Sequence, residues 1–177
     1  MAFLTFNTLS SQQFFKAETL NESLSGTRTS YTKNVFLSYR HSDRAWVSGV
    51  VRFLKNMGVS VYVDYLDQTL DERTNEQVAG ILRERIRGCA KFISLATPNS
   101  SNSKWMPWEL GLGDRIINYQ NVAVLPLTTT INHWPDQEYG KIYGHIENDT
   151  NYFPSDNKWY VIYPDGRRID FKTWLLN

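Results

Sequence analysis

The sequence holds a single cysteine, Cys89, so no internal disulfide can form. Its histidines number only three (His41, His133 and His145) and are too scattered to make a zinc-type cluster with it, so no metal site is expected. An excess of charge is also missing. Lys and Arg total 19 against 18 acids, a net charge of +1, which lacks the basic surplus that electrostatically driven nucleic-acid binding requires. No stretch approaches the roughly 18 apolar residues of a spanning helix, so no membrane insertion is expected. The opening Met1-Ala2-Phe3-Leu4-Thr5-Phe6-Asn7 has no basic region ahead of an apolar one, as an export signal would. With the lone thiol, this makes the cytoplasm the expected location. There is no Walker-type phosphate loop, and no G-x-G-x-x-G follows the first strand-like run.

What is present is one domain's worth of chain: 177 residues, 41% hydrophobic and 21% charged. Aromatics reach 14%, enough either to build a core or to line a site that stacks planar ligands. Residues 1–32 are rich in Ser and Thr and end in Ser23-Leu24-Ser25-Gly26-Thr27, which reads as a peripheral N-terminal arm or linker. From residue 33 to 177 the pattern becomes regular. An apolar run at 34–39 predicts a strand. Ser42 or Asp43 can cap a helix whose apolar positions Trp46, Val47, Val50, Val51, Leu54 and Met57 recur at helical spacing, and Gly58 suits its C-terminal stop. Alternation at 59–64 predicts the second strand. A helix with Val78, Ile81, Leu82, Ile86 and Cys89 on one face follows, then strand 91–96. A third helix passes through Trp108, Glu109 and Leu110 to about Ile117, and strand 122–127 follows it. This alternation predicts an α/β fold, a parallel sheet with helices on both faces. Beyond Leu127 the rhythm weakens until 159–163 and 167–171 flank Pro164-Asp165-Gly166, a β-hairpin extension spanning 158–172 that adds or covers an antiparallel edge.

Open parallel sheets bind ligands beyond the carboxyl ends of their strands. The segments leaving those ends are 38–43, 64–67 and 97–109, which together supply an arginine, several acids, hydroxyls and two tryptophans. A phospho-acceptor receiver domain would need a pair of acids after the first strand, where Tyr39-Arg40 stand, and is set aside. The runs Val35-Phe36-Leu37-Ser38-Tyr39-Arg40, Gly58-Val59-Ser60-Val61-Tyr62-Val63-Asp64 and Ser103-Lys104-Trp105-Met106-Pro107-Trp108-Glu109-Leu110-Gly111 resemble the successive signature boxes of a TIR (Toll/interleukin-1 receptor) domain. The resemblance covers roughly residues 33–130. Its flavour is that of bacterial NAD-consuming proteins such as the TIR component of Thoeris-type phage defence.

That resemblance implies a flavodoxin-like fold and cleavage of the N-glycosidic bond of NAD+, which enters as substrate, with no cofactor. It makes Glu109 of the Trp-x-x-x-Glu segment the catalytic carboxylate. It also implies substrate contacts from Ser38, Arg40 and Trp105, with Asp64 and Asp67 in a loop over the site. The residue types suit this chemistry. Nicotinamide is a cationic leaving group that departs neutral, so a lone carboxylate that steadies the oxocarbenium-like ribose suffices. The same resemblance implies self-association in which the loop at 65–73 completes a neighbour's site, and a separate effector protein that reads the product. Two rival readings stay open: a non-enzymatic adaptor working through TIR–TIR contacts, and a nucleoside-processing transferase. Among the remaining residues, Trp46, Phe92 and Trp108 read as core, and Trp159 belongs to the hairpin. Asp114 reads as a surface or capping acid, Cys89 as a buried small hydrophobe, and Arg83, Arg85 and Arg87 as a solvated helix face.

Overall fold

Hydrophobic periodicity places the strands and helices of the domain closely. The structure, a computed structural model, describes residues 2–11, 34–63, 75–130, 138–148 and 158–177. In chain order its elements are β1 (Leu4–Thr5), α1 (Phe6–Ser11), β2 (Asn34–Ser38), α2 (Arg44–Asn56), β3 (Ser60–Val63), α3 (Asn75–Arg87), β4 (Lys91–Ala96) and α4 (Trp105–Ile117). They continue with β5 (Val122–Thr128), β6 (Gly144–Asn148), β7 (Trp159–Ile162), β8 (Arg168–Asp170) and α5 (Phe171–Leu176).

The sheet runs β3-β2-β4-β5-β6-β7-β8, parallel from β3 through β6 and antiparallel thereafter. Taken in chain order, the parallel strands β2 to β6 are arranged 2-1-3-4-5, the flavodoxin-like order. Successive strand residues face opposite sides. Leu37, Ile93, Leu125 and Ile146 join one buried cluster with α1, α2 and α5, while Phe36, Phe92 and Val124 join the other with α3 and α4. Both faces are therefore covered, which is why the strands read as continuous apolar runs. Gly58 ends α2 at φ 95°, where a Cβ would be strained.

The N-terminal stretch departs from its reading as a peripheral arm. β1 pairs in parallel with β5 (Leu4 opposite Leu127), taking β5 beyond the two residues that pair with β6, and Ala2 bridges to Asn148. Leu4 and Leu9 are buried, and the Phe6 ring lies 4.7 Å from that of Trp46. Residues 2–11 thus belong to the packed fold; residues 12–33 lie outside the described residues. Short apolar clusters interrupted by Thr and Asn carry too little periodicity to announce a two-residue strand.

The sequence pattern also left β6 unread. Gly-His-Ile-Glu-Asn has one aliphatic residue, Ile146, and its burial comes from tertiary context. A Cβ on Gly144 would come within 2.6 Å of Val161 Cγ1, so glycine lets β7 close onto β6. The hairpin forms as read. Gly166, at φ 84°, donates its N–H to Tyr163 O, and β7 lies antiparallel to β6 with β8 outside it at the sheet's edge. The second strand stops at Asp170, whose carboxylate accepts from Thr173 N at 2.8 Å and caps α5. Phe171, Trp174 and Leu175 are buried there, which absorbs part of the aromatic surplus. Among the described residues, no helix is long and apolar enough to cross a membrane.

Candidate active site at the sheet switch point

β2 and β4 lie side by side, Ser38 opposite Ser94, although the chain visits β3 between them. It leaves β2 toward one edge of the sheet and β4 toward the other. The loops after these strands diverge, and that crevice is where open α/β sheets take ligands.

Ser38 ends β2 and follows Phe36 on the α3/α4 side by strand alternation. Its fully buried Oγ donates a 2.5 Å hydrogen bond to Oε2 of Glu109. Glu109 is 7% exposed, a depth at which a carboxylate needs such a charge-assisted bond. It is the fifth residue of α4, just past the first turn of that helix. The helix begins at Trp105, with Ser103 Oγ accepting from Met106 N at 3.2 Å. Pro107 falls within the first turn, where an N–H would have no helical partner, so it does not break the helix. Both Trp105 and Glu109 are helical, one turn apart on one face. Trp105 is half-buried beside the α3/α4 cluster, its ring edge-on to that of Trp108 at 5.6 Å.

Arg40, two residues beyond Ser38, is half-buried and its guanidinium donates to Asn99 O at 2.5 Å. Asp43 occupies the N-cap position of α2 but makes no side-chain cap bond. Instead its 1%-exposed carboxylate accepts from Thr97 Oγ1 at 2.6 Å and from Asn99 Nδ2 at 2.7 Å. The loop after β2 is thereby fastened to the loop that leads into α4. Sequence spacing points to a cap at Asp43; a contact across more than fifty positions leaves no local signal.

The TIR domain family model matches residues 35–153. The probable 3' cyclic ADP-D-ribose synthase ThsB' of Bacillus cereus (strain MSX-D12) is 33% identical over 153 residues, covering 82% of this chain and 78% of the relative. The chain belongs to the TIR domain family. A solved structure of the activated Roq1 resistosome recognizing the effector XopQ resembles it through its TIR domains, at 21% identity and a TM-score of 0.39, over 54% of this chain and 57% of the other.

In this TIR domain, Ser38 at the end of β2 meets Glu109 of α4 at the switch point, with Trp105 one turn before Glu109 on the same helix and Arg40 two residues beyond Ser38. Asp64, Asp67 and the loop at 65–73 lie outside the described residues. Other expectations need correction. Trp108 is not core: it is 36% exposed, with the Arg83 guanidinium 5.8 Å from its ring centre. Asp114 does not merely cap; it accepts from Tyr143 Oη at 3.1 Å. Burial first, and that carboxylate second, push the Tyr143 phenol up to about 12. Arg83, Arg85 and Arg87 do form an exposed helix face as read, with Arg85 over the Tyr62 ring and Arg87 paired to Glu84.

A second concavity, of about 320 Å³, is lined by Asn34, Ser60, Tyr62, Arg85 and Cys89 among others. It opens at the amino ends of β2 and β3, the wrong end of the sheet for the switch-point site. Its cysteine is not poised for chemistry, because burial pushes the Cys89 thiol up to about 11. At pH 7.5 the folded TIR domain should therefore be alkylated at Cys89 about 100-fold more slowly than an ordinary exposed thiol. Mass spectrometry over a time course with iodoacetamide checks this, and a rate equal to that of free cysteine would contradict it.

Proposed function

We propose that this TIR domain breaks the nicotinamide–ribose bond of NAD+, releasing nicotinamide and an ADP-ribosyl product, with Glu109 as the catalytic carboxylate. The observation that carries the reading is the buried Ser38–Glu109 pair at the sheet switch point. As the C1′–N bond breaks, its electron pair goes to the ring nitrogen and nicotinamide leaves neutral. Positive charge develops on the ribose, beside the Glu109 carboxylate. An anion preorganised by Ser38 Oγ stabilises that charge without having to reorganise. Arg40 holds the pyrophosphate by charge, and Trp105 flanks the pocket. Asp64 and Asp67 contact the same substrate.

The oxocarbenium-like centre is then captured by a nucleophile that loses a proton. Water gives ADP-ribose; a hydroxyl or adenine nitrogen of the same molecule gives a cyclic isomer. The similarity to the probable 3' cyclic ADP-D-ribose synthase of Bacillus cereus supports the cyclic outcome. The reaction needs no cofactor beyond the substrate. The product serves as a signal in phage defence, read by a separate effector protein. The domain works in the cytoplasm and self-associates through TIR–TIR contacts in which the loop at 65–73 reaches a neighbour's site.

Incubation of the purified protein with NAD+ and mass spectrometry of the products tests the reading. The expected result is free nicotinamide plus a species one water lighter than ADP-ribose. Intact NAD+ from folded, concentrated protein would refute enzymatic function and favour an adaptor. Turnover of nucleosides in preference to NAD+ would favour a transferase.

A further inference from the structure

We propose that Asp43 is a positioning residue for NAD+, a buried carboxylate that sets where Arg40 points by tying the loop after β2 to the loop before α4. The proposal rests on the NAD+-cleaving reading above and extends it to a residue outside the signature boxes.

Three features of the geometry carry it. Asp43 has the position of a helix cap but no capping bond, so its placement serves something other than α2. Both its oxygens are used across the crevice, one by fully buried Thr97 and one by the Asn99 amide, while Thr97 Oγ1 also accepts from Asn99 N at 3.1 Å. The Asn99 carbonyl in turn receives the Arg40 guanidinium, and Asp43 N donates back to Arg40 O at 2.8 Å. The ring of contacts is thus closed: Arg40 to Asn99, Asn99 to Asp43, and Asp43 to Arg40 through the backbone. A carboxylate here, rather than a neutral acceptor, makes the two cross-loop bonds charge-assisted and the loops rigid. The ring acts on Arg40 and on the loop before α4, and so governs how the substrate is held.

The kinetic signature follows. A contact to the pyrophosphate, remote from the reacting carbon, is made equally in ground and transition states, so losing it raises KM and spares kcat. Asp43→Ala should raise KM for NAD+ by about 10-fold with kcat within about 3-fold of wild type. Adding Asp43→Ala to Arg40→Ala should make KM no worse than Arg40→Ala alone, since one acts through the other. The exchanged pair Asp43→Asn with Asn99→Asp rebuilds an amide–carboxylate bond with the same net charge. It should recover KM to within about 3-fold, whereas Asn99→Asp alone sets two carboxylates against each other and Asp43→Asn alone removes the charge from the cross-loop bonds.

A loss of kcat at unchanged KM, additive effects with Arg40→Ala, or a failed rescue by a stably folded exchanged pair would overturn the proposal. If the wild-type protein releases no nicotinamide, the functional reading fails on its own. The loop coupling is then read by hydrogen exchange at the amides of residues 97–103. Faster exchange there in Asp43→Ala sustains the tie between the loops, and unaltered exchange overturns it.

Discussion

Glu109→Gln is expected to lower the rate of nicotinamide release from NAD+ by about 10²–10³-fold with the fold retained. Glutamine fills the same volume, and its side-chain carbonyl can still accept from Ser38 Oγ, so the packing around α4 is conserved. What disappears is the negative charge facing the ribose as it becomes cationic. Ser38→Ala makes the complementary change. It keeps the charge but removes the hydroxyl that fixes it, a bond to a charged group worth about 1.5–3 kcal/mol, or roughly 10–100-fold if fully expressed in the rate. The predicted order of activities is therefore wild type, then Ser38→Ala, then Glu109→Gln. Steady-state nicotinamide release by each variant, with circular dichroism melts alongside, checks it. A folded Glu109→Gln protein of full activity would remove Glu109 from the mechanism.

The second large effect concerns stability. Deleting residues 1–11 should leave a protein that is mostly unfolded or aggregated at room temperature. Two side chains account for this. Leu4 and Leu9 are almost wholly buried, Leu9 lying 3.4 Å from where a Cβ on Gly49 of α2 would stand. Losing each large core side chain costs about 2–5 kcal/mol. Against a typical domain stability of about 5–15 kcal/mol, losing both removes most of it. The deletion also uncovers β5 at Leu127 and Thr128, a strand edge open to intermolecular pairing. Leu9→Ala alone should cost about 2–5 kcal/mol in a urea titration. A truncated protein melting within a few degrees of the full chain would show that this segment is not part of the packed domain.

The contrast between these two regions explains what could be read without a structure. The strand–helix alternation from Val35 to Leu127 was legible because each element carries its own period. α2 repeats its apolar residues at helical spacing, and β4 and β5 are short, mostly apolar runs bounded by turn residues. The candidate site was legible for a related reason: Ser38 ends a strand and Glu109 lies in the second turn of a helix, both within recognisable boxes, so topology brings them to one end of the sheet. Three things were not legible. β1 is too short to show a period, and its burial depends on β6 leaving β5 early. β6 has a single aliphatic residue and owes its place to its neighbours. Asp43 stands where a cap is expected, and only the folded chain shows that its partners are Thr97 and Asn99. Trp108 failed differently. A tryptophan inside a signature box reads as packing, yet its position on α4 turns it toward solvent, where Arg83 covers it.

The central claim is that the nicotinamide ribose of NAD+ binds at the Ser38–Glu109 pair. The most direct measurement is a crystal structure of Glu109→Gln, the variant expected to bind but scarcely turn over, with NAD+ present. The account predicts the ribose hydroxyls within hydrogen-bond distance of residue 109, with the pyrophosphate toward Arg40. NAD+ bound instead at the opposite end of the sheet, in the cleft beside Asn34, Ser60 and Cys89, would contradict it.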